Sequence, residues 1–205
     1  TNHINKDVLL LFFDYVKQPL KKGTRFFRGR ICPNNSGFNI SEMGAPPSQS
    51  AAAGRANPEG ISYLYLADSE KTTLHEIRAG IFDYVTIGEF ELQQDIYIIN
   101  LANIDKISPF LGIDFTQHAI NKNNLRKISN EIAKPLRRHD SFLDYLPTQY
   151  ISDYIRNQGY AGIKYKSTMI QEGFNLAIFD ESFFKCVGVK AYEINSIQYL
   201  YNIVK

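Results

Sequence analysis

Hydrophobic positions recur along this chain with two periods, and the switches between them mark its elements. Residues 5–18 place Val8, Leu11, Phe12, Tyr15 and Val16 at the i, i+3, i+4, i+7, i+8 spacing of an amphipathic helix, which Pro19 is expected to close. Residues 24–31 (TRFFRGRI) are aromatic and β-branched between Gly23 and Pro33, which predicts a strand. The clearest strand is 61–67 (ISYLYLA). Asp68 or Ser69 then caps a helix reaching about Ala79, with Gly80 as its stop. Residues 84–101 alternate enough for one or two strands, and 115–136 reads as a polar, basic helix or helix pair. Pro147 opens a further helix, PTQYISDYIRNQ, ended by Gly159. Segments 163–165, 175–179 and 185–192 have strand character. The order lacks regular strand–helix alternation, so α+β is the expected class. Between the first two strands, residues 32–60 form a long stretch rich in Gly, Ala, Pro, Ser and Asn. A loop of that length in a compact domain is more often functional than idle.

Composition narrows this without redirecting it. A length of 205 residues fits one generous domain, and 23 basic against 21 acidic side chains leave a charge of +2, too small to argue for nucleic acid. With 44% hydrophobic and 21% charged residues, disorder, collagen and coiled coil are excluded. Two cysteines, Cys32 and Cys186, make no disulfide framework and fit a reducing compartment. The longest apolar run, residues 8–13, is far short of the ~20 residues that cross a bilayer, and no export signal is visible, so a cytoplasmic location without membrane contact is expected. The chain opens on Thr1 rather than Met, which points to a processed product or a piece of something longer.

The usual chemical signatures are absent. Neither GxGxxG nor GxxxxGK[ST] occurs, and no G-x-S-x-G elbow does. His75-Glu76 starts an HExxH pattern, but Ala79 stands where the second histidine belongs, so no metal site is expected. His139-Asp140-Ser141 has triad letters in consecutive positions, which rarely face one another. A basic run, Lys122, Arg126, Lys127, Lys134, Arg137 and Arg138, is opposed only by Glu131 and Asp140; a solvated helix face explains it, and docking of RNA or an acidic partner is the lesser reading.

Four places hold polar residues that a core does not ask for. Arg28 lies in the strand FFRGR. Arg55 follows Gly54 in the small-residue loop AAAGRANP, where a guanidinium can meet a planar anion at close backbone approach. Glu76 sits about 200° from Leu74 around its helix, off the stripe of Leu74, Ile77 and Ile81. Ser167 and Thr168 stand in a turn between two strands. Each has an ordinary explanation alone: a surface ion pair, a solvated loop, an exposed helix face, a turn hydroxyl bonding its own backbone.

Together they carry a pattern. FFRGR around Arg28, MGAPPSQSAAAGRANPEGISYLYLA over 43–67, TLHEIR around Glu76, and LPTQYISDYIRNQGYAGIKYKSTMIQEGFNLAIF over 146–179 resemble the RES domain family, named for its Arg, Glu and Ser. The resemblance spans residues 24–180, with 84–140 poorly matched; it divides the chain into a helical N-terminal segment, 1–23, and a catalytic domain, 24–205. It implies an ADP-ribosyltransferase-like α+β fold, with a split, bent sheet around an NAD cleft. It also implies a toxin of a bacterial toxin–antitoxin pair, neutralised by an Xre-type antitoxin, and members with this long loop often carry an extra N-terminal domain. Known members consume NAD+ by hydrolysis or phosphorolysis, and some transfer ADP-ribose to a protein acceptor.

Mapped onto this sequence, the resemblance makes Glu76 and Ser167 the catalytic candidates and Arg28, Arg55, Tyr65 and Asn175 the NAD-binding ones, with Thr168 and Asn175 able to substitute for Ser167. The chemistry is consistent. Breaking the nicotinamide–ribose bond leaves an oxocarbenium-like sugar, which a carboxylate stabilises. Arginine forks suit the pyrophosphate, Tyr65 can orient the nicotinamide or its ribose, and a good leaving group removes the need for a strong general acid or a metal. NAD+ degradation is therefore the first expectation. Protein ADP-ribosylation is the second, and a non-catalytic module binding RNA or protein through the basic run is the third.

Overall fold

The computed structural model describes residues 6–108, 110, 115–134 and 142–198. It is α+β: eight strands form one mixed sheet, and helices pack on it. In chain order the elements are α1 (Lys6–Val16), β1 (Lys17–Leu20), β2 (Arg25–Cys32), β3 (Leu64–Ala67), α2 (Glu70–Glu76), β4 (Tyr84–Leu92), β5 (Ile96–Asn100), α3 (Phe115–Ala133), α4 (Leu146–Asn157), β6 (Gly162–Lys166), β7 (Phe174–Ile178) and β8 (Phe184–Glu193). Across the sheet the strands run β1-β5-β6-β7-β3-β2-β4-β8, antiparallel everywhere except between β5 and β6.

Strand alternation sorts side chains into two cores. On one face, Tyr63, Ile99, Ile163 and Ala177 meet α1, α3 and α4 through Phe12, Phe13, Leu125, Ile151 and Ile155. On the other, Phe26, Leu64, Leu66, Phe90, Leu176 and Ile178 are covered by the 33–62 connection, whose Met43 is fully buried. That connection contains only two short 3-10 turns, at Ile40–Glu42 and Ser48–Ser50.

The sheet is continuous but nearly divided. β2 pairs with β4 from Arg25↔Glu91 to Cys32↔Tyr84, and β3 pairs with β7 along its whole length. Between β2 and β3 a single pair, Phe27↔Ala67, holds the halves together. The expected split sheet is instead one mixed sheet of eight strands, with a seam joined at one rung.

Local readings need correcting in three places. Pro19 does not merely stop α1; it lies in β1 opposite Tyr97, at the sheet's edge, where its missing N–H costs no ladder bond. The buried face of α1 is Val8, Leu9, Phe12, Phe13 and Val16, while Leu11 and Tyr15 are exposed. Residues 9–13 are all apolar, so periodicity fits two faces about 60° apart and packing selects one. Finally, α2 ends at Glu76 rather than near Ala79, because Arg78 takes a left-handed φ of 54°. No helix among the described residues is long and apolar enough to cross a membrane.

Candidate active site

The site is built at the seam. Gly29 of β2 opens it: a Cβ there would fall 2.6 Å from Thr73 Cγ2 and 3.0 Å from Ile77 Cδ1, so α2 can lie directly on the strand. Close approach also explains the helix's unusual buried stripe. Thr72 and Thr73 are its buried residues, short side chains that suit the close approach of α2 to β2. Ser69 caps the helix, its Oγ accepting from Thr72 N at 3.1 Å. Glu76 is one turn beyond Thr72 and faces the sheet, not outward as counting from Leu74 suggests.

The Glu76 carboxylate is held on one side only. Ser167 Oγ donates to Oε1 at 2.6 Å, and Asn175 Nδ2 donates to the same oxygen at 2.8 Å. Oε2 takes no hydrogen bond from the described residues. Ser167 is also a turn residue, accepting from Met169 N at 3.1 Å, so its ordinary role and its role at the site coexist. Thr168 turns away and donates to Ala133 O. Asn175 therefore accompanies Ser167 rather than replacing it.

Around this carboxylate lies a cavity of about 230 Å³ whose walls include Arg28, Tyr65, Thr73, Glu76, Tyr165 and Asn175. Register explains the assembly. Ala67 pairs with both Phe27 and Asn175, and Asn175 pairs with Tyr165, so these positions share one face across four strands. Arg28 enters from the open side of the seam. Its Nε is buried without a hydrogen-bond partner among the described residues. Burial lowers its pKa and the neighbouring Arg30 adds to this, while Glu181 and Tyr65 pull the other way. Burial also pushes the Tyr65 and Tyr165 phenols upward, so both stay neutral.

Arg55 goes elsewhere. It is 8% exposed, its guanidinium lies 5.0 Å from the Tyr145 ring centroid, and it is not among the residues lining the cavity. α4 draws the loop inward: Thr148 Oγ1 donates to Arg55 O at 2.5 Å, and Gln149 Nε2 donates to Gly54 O at 2.9 Å. A loop whose carbonyls are satisfied this way can be buried. Tyr165 and Asn57, the latter bound to the Tyr65 hydroxyl, are the residues that sequence reasoning missed. Alternation in GIKYK would have put Tyr165 on the face opposite Lys164 and Lys166; nothing local distinguishes Asn57.

Over residues 30–199 the chain matches the model of the RES domain. It belongs to the RES domain family. Arg28 falls two residues before that match, whereas Glu76, Ser167 and Asn175 lie inside it. Among solved structures, the RES chain resembles a chain of the M. tuberculosis MbcT-MbcA toxin-antitoxin complex with a TM-score of 0.52, covering 93% of this chain and 94% of that one at 11% identity. At that identity the likeness is one of fold. A search of curated proteins finds no match.

Among the described residues, no group of three His, Cys, Asp or Glu could hold a metal ion. The basic run is largely occupied: Lys122 donates to the Asp105 and Ile107 carbonyls, Arg126 pairs with Asp105, and Lys134 pairs with Glu131. Arg137, Arg138 and the His139-Asp140-Ser141 run lie outside the described residues.

Proposed function

We propose that this RES protein degrades NAD+ by cleaving its nicotinamide–ribose bond, and that it acts as the toxin of a toxin–antitoxin pair. The observation that carries the reading is the Glu76 carboxylate, anchored through Oε1 by Ser167 and Asn175 with Oε2 left free beside a small cavity. When the C1′–N bond breaks, its electron pair goes to the ring nitrogen and neutralises it, and positive charge appears on the ribose. A fixed carboxylate stabilises that charge without reorganising. An acceptor oxygen then attacks C1′ and gives up a proton, for which the free Oε2 is a ready base.

The other groups suit the rest of the molecule. A buried guanidinium nitrogen without a partner fits a phosphate-bearing ligand, and Arg28 offers the planar fork for one pyrophosphate oxygen pair. The cavity matches the nicotinamide riboside end in size, with Tyr65 and Tyr165 supplying aromatic walls. The ADP-ribosyltransferase-like arrangement, a sheet parting around the NAD cleft, is supported by the single rung between β2 and β3. Likeness to the complex named above supports an antitoxin as partner.

The test is a time course of NAD+ with purified protein, with and without phosphate, analysed by mass. Nicotinamide is released, and its companion product identifies the acceptor as water, phosphate or, where ADP-ribose stays on protein, a side chain. Glu76→Gln lowers the rate by about 1,000-fold or more while leaving the unfolding midpoint close to the parent. Intact NAD+ with the parent protein overturns the reading, and a fully active Glu76→Gln overturns the role of Glu76.

A further inference from the structure

Asn57, two residues after Arg55, is 3% exposed and has more partners than a loop residue needs. The two protons of its Nδ2 are shared among three carbonyl oxygens, of Ala52 at 3.0 Å, Pro58 at 3.1 Å and Ile61 at 2.9 Å. An amide oxygen in that place would face three carbonyl oxygens, so the orientation of the side chain is forced. Oδ1 must then face Tyr65, whose hydroxyl donates to it at 2.6 Å. Gly54 protects the contact: a Cβ there would fall 2.5 Å from Oδ1 and 3.1 Å from the Tyr65 hydroxyl oxygen. The Asn57 backbone is tied as well, its carbonyl accepting from Gly54 N at 2.9 Å and from Gln149 Nε2 at 3.1 Å.

The consequence reaches the cavity. A phenol has one proton, and Asn57 takes it. The Ala56 backbone N–H also bonds the phenol oxygen, so toward the ligand Tyr65 presents its remaining lone pair and no proton. We infer that Asn57 is a positioning residue that fixes the Tyr65 phenol as a hydrogen-bond acceptor for a hydroxyl or amide N–H of the ligand. This rests on the NAD+ reading for its catalytic consequence, though not for its geometry.

A double-mutant cycle of Asn57→Ala and Tyr65→Phe, read as kcat/KM for NAD+ loss beside the unfolding midpoint, tests it. Each single change lowers kcat/KM, by up to roughly 100-fold, and the double variant is no worse than the poorer single one. Losses that multiply, or a fully active Asn57→Ala, overturn the inference. Should Asn57→Ala not fold, Gly54→Ala displaces the same contact and is expected to lower activity in the parent but not in the Tyr65→Phe background. A readout independent of turnover separates the two proposals. In protein labelled with 13C at tyrosine Cζ, the resonance lost in Tyr65→Phe shifts in Gly54→Ala. Should the parent leave NAD+ intact while that resonance shifts, the NAD+ reading fails and the Asn57 pin stands; an unshifted resonance overturns the pin.

Discussion

Strand β2 joins its two neighbours very differently. Toward β4 it is zipped over eight consecutive pairs, and Arg25 at that edge is held by both Glu89 and Glu91, at 2.9 and 3.1 Å. Toward β3 it keeps one pair, and Arg28, three residues along, has a buried Nε with nothing to bond. The same strand with the same residue type yields a surface ion network on one side and, on the other, a largely buried guanidinium whose Nε has no hydrogen bond among the described residues and whose charge Glu181 offsets only through space. The lesson concerns where strain is tolerated. An interrupted ladder and a buried donor without a partner tend to be tolerated at functional sites, and the cavity at that seam supports the ligand-binding reading proposed above.

The sharpest way to break the contrast is to remove each arginine in turn. Arg28→Met is expected to raise KM for NAD+ by about 100-fold without loss of stability, because it deletes a guanidinium nitrogen buried without a partner. Arg28→Lys recovers little of this, since an ammonium lacks the planar fork. Arg25→Met leaves NAD+ loss and the unfolding midpoint almost unchanged, because its carboxylate pairs are solvated. Equal kinetic losses from both arginines would erase the distinction. Next in size is Gly29→Ala, which drives a methyl into Thr73 and Ile77 and is expected to cost about 1–3 kcal/mol in urea unfolding while lifting Glu76 from its partners. Gly188→Ala on β8, with nothing within 4 Å of its Cβ position, serves as the silent counterpart.

The smallest effect is alkaline. Burial raises the pKa of Tyr65 and Tyr165, so the folded chain keeps phenol protons that the unfolded chain sheds near about pH 10. Their contribution to stability is complete below that pH and is lost as pH rises through it. Urea midpoints measured at pH 9 and 10.5 should therefore fall further for the parent than for Tyr165→Phe; an equal fall would mean Tyr165 is not the buried group.

How much of this was legible in the sequence depended on whether the signal was local. Strands β2, β3, β6, β7 and β8 show in period-two runs of aromatic and β-branched residues, and Ser69 and Gly159 punctuate helices by their own backbone preferences. Glu76 and Ser167 stood out as polar residues that a core does not ask for, whereas Asn175 entered only through the family resemblance. The inward turn of Glu76 was hidden, because it depends on Gly29, a residue 47 positions earlier, admitting α2 to the sheet. The placement of Arg55 was hidden for a similar reason: Thr148 and Gln149, nearly a hundred residues away, decide that its loop is buried. Strand order was invisible throughout, since pairing β5 with β6 and β3 with β7 is a property of the folded sheet alone.

Those distant pairings also bear on timing during synthesis. Glu76 is translated 91 residues before Ser167, just beyond β6, and 99 before Asn175 on β7, strands that end at Lys166 and Ile178. Until the ribosome has released that stretch, the carboxylate is a solvated side chain on a short helix, and the seam has only one wall. On the function proposed above, a chain still missing that stretch would lack the anchored carboxylate and could not turn over NAD+. Both anchors then come together, because Ser167 and Asn175 belong to the same β6–β7 hairpin.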